Sequence, residues 1–243
     1  MSQAVVTCVG LNHNTSPVEE RERLAFTSAE LPDALQTLSS SLGGGVVIIS
    51  TCNRTELYTT VEEGEGSDLV ARLNALKDAD VASEHFYVLH HKAAVDHLYR
   101  VAAGIDSMVL GESQILGQVR EAMSVATEAS TLNGVLSHVF HTAMAVGKRA
   151  RHETQIGRHA VSVSSAAVML ARKSLGDLEN KTVLVISAGS MGKLAAKALV
   201  QQTGSRILVA NRTMERAADL AEQLGPNAEA FDLAHLRDAL TIS

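Results

Sequence analysis

Cys52 and Arg54 stand two residues apart, just after the apolar run 46–50. A thiol at a strand end faces the loops where sites are commonly built. An arginine beside it can stabilise a thiolate or hold a substrate carboxylate through paired hydrogen bonds. Such a thiolate can attack a carbonyl carbon and form a thioester. The same spacing also suits a small apolar residue that merely ends a strand, because free cysteines are often core filler. Cys8 lies inside the apolar run 5–9 with no basic neighbour and reads as packing. A second place for chemistry is the turn Ser187, Ala188, Gly189, Ser190, Met191, Gly192, between an apolar strand and a helical stretch. That context suits a dinucleotide whose phosphates meet the helix N-terminus. Ser187 occupies the first glycine position of the G-x-G-x-x-G pattern, where glycine serves a tight turn, so strain is expected there. The next strand ends at Asn211, Arg212 and Thr213, about 20 residues past the turn. Arg212 in place of an acid suits a 2′-phosphate, hence NADPH over NADH.

Other polar groups carry less. His90 with His91, and His138 with His141 one helical turn apart, lack the cysteine or carboxylate partners of a ligand set, so no metal site is expected. Lys148, Arg149, Arg151 and His152 form a basic stretch of helix, either a solvated face or a contact for nucleic-acid phosphates. His97 lies at helical spacing with Ala94, Leu98, Val101 and Ala102, as a core histidine would.

The elements that must position these residues alternate. Strands are expected at 5–9, 46–50, 56–61 and 86–90, with a helix capped by Thr27 or Ser28 and another over 67–78. From Lys92 the pattern is helical, with helices at 118–129, 135–150 and 160–173. After a turn-rich link at 176–181 come a strand at 182–186, a helix at 191–202, a strand at 206–210 and a helix at 214–224. The fold class is α/β: an α+β domain over 1–155, a helical connection over 156–180, and the start of a doubly wound domain over 181–243. Only two strands of that last domain are complete in this reading, so the chain is expected to be truncated.

Residues 50–58, with Thr51, Cys52, Asn53 and Arg54 at their centre, closely resemble the active-site signature of glutamyl-tRNA reductases. Residues 104–118 are similar to that family's substrate-site segment, and Gly147 to Arg151 followed by Gly157 and 160–163 match a third block. Gly10, Leu11, Asn12 and His13 are also similar, and the blocks run in the family's order along essentially the whole chain. The resemblance implies a catalytic domain followed by a Rossmann-like NADPH domain. It implies NADPH-dependent reduction of glutamyl-tRNA(Glu) to glutamate-1-semialdehyde through a cysteine thioester, the first step of the five-carbon route to 5-aminolevulinate and tetrapyrroles. Cys52 would be the nucleophile and His97 a further active-site residue. Thr51, Asn53, Arg54, Ser107, Glu112, Ser113, Gln114 and Gln118 would hold the glutamyl group, and Ser187 to Gly192 with Asn211, Arg212 and Thr213 the cofactor. Ser113 stands where the family has proline, and Ser187 where it has glycine. A glutamate-1-semialdehyde aminomutase partner, and a homodimer built by a later helical domain, are likewise implied by the family only.

Composition sets outer bounds. The 243 residues allow one or two domains, at roughly 150 residues each. Hydrophobic residues at 46% supply a core, while 3% aromatics argue against a base-stacking platform. A net charge of −6 confines any RNA contact to a local patch. Two cysteines without a C-x-x-C pair suit a reducing, cytoplasmic setting, and no signal peptide or membrane span is evident. Two rival functions remain: a non-catalytic module that binds charged tRNA, and a general dehydrogenase that needs no tRNA.

Overall fold

The structure is a computed structural model and describes residues 4–62, 68–112, 114–157, 163–179 and 181–236. Ser113 and positions 160–162 of the third motif block lie outside them. The chain divides into two compact units, Met1–Ala160 and Val161–Ser243.

The first unit is built on a four-stranded antiparallel sheet in the order β2-β3-β1-β4. Its strands are β1 (Ala4–Asn12), β2 (Val46–Ser50), β3 (Arg54–Glu62) and β4 (Tyr87–His90). β2 reads Val-Val-Ile-Ile because it is buried on both faces; all four of these residues are in the core. β3 instead alternates Arg54, Glu56 and Tyr58 on one face, and the register sets them opposite Asn12, Gly10 and Cys8 of β1. Gly10 is required here: a Cβ would lie too close to the Thr55 carbonyl and to Cγ of Glu56.

Among the described residues, six α-helices accompany this sheet: α1 (Val18–Arg23), α2 (Leu31–Leu42), α3 (Leu69–Leu76), α4 (His91–Ala103), α5 (Gln114–Glu128) and α6 (Gly134–Glu153). α1 falls in a stretch that reads as merely polar. It is six residues long and buries none of them, so no apolar period marks it. Glu19 and Glu20 in its first turn and Arg21 and Arg23 in its last suit the helix dipole. The expected side-chain cap by Thr27 or Ser28 is absent: Glu30 is the N-cap of α2, and its carboxylate accepts from Thr27 N and Oγ1 at 2.7 Å. α5 starts before Gly117, which sits inside the helix facing open space at the usual propensity cost. α6 is capped by Asn133, whose side chain accepts from Leu136 N at 2.9 Å. α4 and α6 cross closely at Gly147, where a Cβ would press on the Ala102 carbonyl. The core joins Val9, Leu57 and Tyr58 of the sheet to Leu98, Val119 and Phe140 of the helices.

The second unit has a three-stranded parallel sheet in the order β5-β6-β7. It comprises α7 (Val163–Leu175), β5 (Thr182–Ile186), α8 (Ser190–Thr203), β6 (Arg206–Asn211), α9 (Met214–Leu224) and β7 (Ala228–Asp232). The crossovers are helices, as parallel pairing demands. β7 corrects the expectation of only two strands. Its sequence, Ala-Glu-Ala-Phe-Asp, is short, carries two acids and is only partly buried, as an edge strand tolerates. α9 turns Ala217, Leu220, Ala221 and Leu224 into a core with Ile207 and Val209.

Candidate active site

The β2–β3 hairpin closes through a two-residue turn that carries Cys52. Thr51 N donates to the Arg54 carbonyl at 2.8 Å, leaving Cys52 and Asn53 at the tip. Thr51 Oγ1 accepts from Asn53 N and Arg54 N, each at 3.2 Å, so Thr51 builds the turn. Cys52 is exposed and Cys8 is buried. Partial burial is the largest influence on the Cys52 thiol and pushes it above its ordinary range; Glu112 adds to this, while its own backbone N–H and Arg21 pull the other way.

Arg54 is held by two acids, Glu56 and Asp106. It is 1% exposed, and Nη1 meets Glu56 Oε1 at 2.5 Å while Nη2 donates to the Asp106 carbonyl and contacts Asp106 Oδ1 at 3.2 Å. Glu56 is the hub of this cluster. Its Oε1 also accepts from Tyr87 Oη at 2.6 Å and lies 3.0 Å from His97 Nε2, and its Oε2 accepts from Tyr58 Oη at 2.7 Å. Burial opposes the charge on Glu56, but Arg54 and His97 hold its carboxyl well below the usual carboxylate range. Asp106 in turn accepts from Asn12 Nδ2 at 3.5 Å and faces His97 Nδ1 at 3.7 Å. His97 stacks edge-on against Tyr87, with ring centroids 5.1 Å apart. Donor atoms of Cys8, Glu56 and His97 lie within 4.8 Å of one another, a spacing open to a metal ion. Glu56 already accepts from a guanidinium and two phenols, and a cation there would meet Arg54 at close range, so the group does not suit a metal.

The segment after α4 brings the second motif to the hairpin. Gly104 and Gly111 take positive φ, +77° and +78°, and Gly111 N donates to the Gly104 carbonyl at 2.8 Å, closing a loop over residues 105–110. A Cβ on Gly111 would collide with the Ile156 carbonyl. Ser107 Oγ in this loop is buried with no partner among the described residues. Glu112 is buried, which raises its carboxyl, with Arg54 and Arg151 offsetting part of the rise. Its carbonyl accepts from Arg151 Nη2 at 2.9 Å, while Arg151 Nη1 donates to the Ala102 and Gly147 carbonyls. The basic stretch of α6 is therefore not one patch. Arg151 is an internal clamp and Arg149 pairs with Glu153 at 3.0 Å, while Lys148 lines an open groove with Arg120 and His141. Gln114 is half-buried at the start of α5, and Gln118 lines a cavity of about 140 Å³ with Phe26, Ile48 and Ser50. The site thus gathers Thr51, Cys52, Asn53, Arg54, His97, Ser107 and Glu112. Sequence reasoning did not assign Glu56, Tyr87, Asp106 or Arg21 to it. The usable signal was the Arg-x-Glu-x-Tyr alternation in β3, which sets charges on one strand face.

In the second unit, Ser187 has φ +105°, as its place in a glycine turn predicts. Ser187 N donates to the Ala210 carbonyl at 2.7 Å, and its Oγ accepts from Gly189 N at 3.2 Å. Ala188 N reaches Asn211 Oδ1 at 3.4 Å, and Asn211 Nδ2 donates to the Thr213 carbonyl at 3.1 Å. α8 starts at Ser190 and Met191. Gly192 has no room for a Cβ against the Ser187 carbonyl, as close strand–helix packing requires. Arg212 is exposed where β6 ends. The turn, the helix start and Arg212 fit a phosphorylated dinucleotide.

Comparison with known proteins agrees with this geometry. Residues 9–154 match the family described as glutamyl-tRNAGlu reductase, N-terminal domain. The chain belongs to the glutamyl-tRNA reductase family. Residues 169–242 match the family described as shikimate / quinate 5-dehydrogenase, in accord with a dinucleotide-binding fold. A glutamyl-tRNA reductase of Pelotomaculum thermopropionicum is 47% identical over 94% of this chain and 52% of its own length. That of Priestia megaterium is 43% identical over 95% and 53%. The solved glutamyl-tRNA reductase from Methanopyrus kandleri aligns with a TM-score of 0.64 and 41% identity, covering 98% of this chain and 56% of its own. The chain thus spans about half the length of these glutamyl-tRNA reductases. Among the described residues no helix is long and apolar enough to cross a membrane.

Proposed function

We propose that this chain carries the catalytic unit and part of the cofactor unit of an NADPH-dependent glutamyl-tRNA reductase. The observation that carries this reading is Cys52, the exposed cysteine, displayed at a hairpin tip beside a loop whose buried Ser107 hydroxyl has no partner among the described residues. The thiolate of Cys52 attacks the ester carbonyl of glutamyl-tRNA(Glu). An S–C bond forms, the ester C–O bond breaks, and the tRNA leaves as its terminal ribose alcohol, taking up a proton. The ester is already activated, so no ATP is needed. Glu56 and Asp106 hold Arg54 and His97 in place, and the Gly104–Gly111 clasp presents Ser107 and Glu112 to the glutamyl group. NADPH, when bound, would supply a hydride to the thioester carbonyl; the C–S bond would then break, releasing glutamate-1-semialdehyde and returning Cys52 as its thiolate. Ser187 to Gly192, with Asn211, Arg212 and Thr213, would hold it, with Arg212 on the 2′-phosphate. The aldehyde is the substrate an aminomutase would take next towards 5-aminolevulinate and tetrapyrroles. Lys148 and Arg120 along the α5–α6 groove suit tRNA phosphates.

The test is single-turnover deacylation of glutamyl-tRNA labelled in the amino acid, without NADPH. Release of label that depends on Cys52 supports the reading. A folded native chain that binds the charged tRNA yet deacylates it no faster than the Cys52→Ser chain would be a binding module instead.

A further inference from the structure

A net charge of −6 restricts RNA to a local patch, and the structure narrows where that patch lies. On α6, Arg149 is paired with Glu153, and Arg151 is spent on backbone carbonyls. The side chains of Lys148 on α6 and Arg120 on α5 have no ion-pair or hydrogen-bond partner among the described residues. Both line one groove of about 670 Å³. That volume falls within the roughly 300–1,000 Å³ of small-ligand sites. Gln118, Ala122 and Val125 of α5 line the cavity against Ile48 and Ser50, so the groove opens on a different face of that helix.

The groove has two unlike ends. α5 and α6 pack together and are joined by the short link 129–133, so they run antiparallel. Arg120, early in α5, therefore stands level with Lys148, late in α6, and Glu128 at the end of α5 stands level with His141. Arg120 and Glu128 are roughly 12 Å apart along the helix. Between them Met123, Met144 and Ala145 give the groove an apolar floor. At the acidic end Ser124 Oγ donates to Glu128 Oε1 at 3.1 Å, which orients the carboxylate and leaves it further acceptor capacity. Two cations, an apolar middle and an acceptor match the parts of one nucleotide: phosphate, base plane and the N–H edge of the base. A hydrocarbon tail does not match, because it would strip water from Glu128 and give nothing back. A stacked duplex does not match either, because its bases stay inside. With aromatics at 3%, polarizable methionines take the base face in place of rings. RNA is read in this way where its bases are splayed out of the stack.

We propose that the α5–α6 groove seats one unstacked nucleotide of the tRNA, with its phosphate between Arg120 and Lys148, its base on Met123 and Met144, and a base N–H donating to Glu128. This rests on the chain binding a charged tRNA, and it adds a contact with the RNA separate from the Cys52 turn.

The test measures binding of fluorescently labelled glutamyl-tRNA(Glu) to the Cys52→Ser chain by anisotropy over a series of salt concentrations. That background makes the outcome independent of glutamyl transfer to the thiol. Arg120→Gln and Lys148→Gln should each weaken binding several-fold and flatten the slope of log affinity against log salt by about 1. Met144→Thr should weaken binding several-fold with the slope unchanged, because it removes a base contact and no charge. An unchanged slope in both charge variants overturns the proposal. A folded Met144→Thr chain that binds as tightly as its parent overturns it too, since the groove would then hold phosphate alone. Should Met144→Thr fail to fold, a benzophenone carried on Ala145→Cys in the same background decides. Its photo-crosslink should map to one unpaired nucleotide, and crosslinks confined to base-paired stems overturn the proposal. A folded parent chain that binds no tRNA removes the reading on which the proposal rests, whereas binding that the groove variants leave untouched removes the proposal alone.

Discussion

Two residue pairs separate chemistry from support. Cys52 is exposed at a turn and Cys8 is sealed in the core, where burial first and Glu56 next push its thiol far up. Arg54 and Glu56 are both buried and hold each other charged. Removing one partner of such a pair leaves a buried charge, at a cost of about 3–5 kcal/mol. Glu56→Gln should therefore destabilise the first unit strongly at neutral pH. The acid response has a definite sign. The Glu56 carboxyl is depressed in the fold, so its stabilisation is present above the unfolded value of about 4.3 and is lost as pH falls from there through the folded value. Urea midpoints of the native chain should drop below about pH 4, and those of Glu56→Gln should drop less steeply. Equal slopes would contradict the role given to Glu56. The sequence led to Cys52 because a thiol between polar residues after an apolar strand is a local pattern. It could not show what holds the Arg54 guanidinium, because one of its partners, Asp106, lies 52 positions along the chain.

Element boundaries tell a similar story. β2, β5 and α9 match their expected bounds residue for residue; β2 and α9 bury an apolar run or stripe, while in β5 Val185 is buried and Ile186 is exposed. α1 and β7 escaped notice because neither owes its place to a full apolar face. The Ser187 turn was legible: a serine in a glycine position was expected to be strained, and it sits at φ +105°. Such a residue costs of order 1–3 kcal/mol. Ser187→Gly should raise the melting temperature of the second unit and tighten dinucleotide binding, measured by calorimetry and titration. An unchanged melting temperature would mean that the Ser187 Oγ bond to Gly189 N already offsets the strain. Gly111→Ala should instead destabilise the first unit by more than about 1 kcal/mol, through both its positive φ and the Ile156 carbonyl.

For the molecule as a whole, each unit has its own apolar core, one around the antiparallel sheet and one around the parallel sheet. The α/β class and the order of functions along the chain were legible because strand–helix alternation changes character after residue 175. The parallel order β5-β6-β7 needed coordinates, since pairing is non-local. In the proposed function, cofactor choice falls to the second unit. Arg212→Asp should weaken NADPH binding and favour NADH in direct titration, and unchanged preference would remove Arg212 from the site. The central claim belongs to the first unit, and intact mass tests it most directly. The chain is mixed with glutamyl-tRNA in the absence of NADPH, beside a Cys52→Ser control. A glutamyl adduct on the native chain and none on the control is the predicted result. A folded native chain that binds the tRNA and carries no adduct would contradict it.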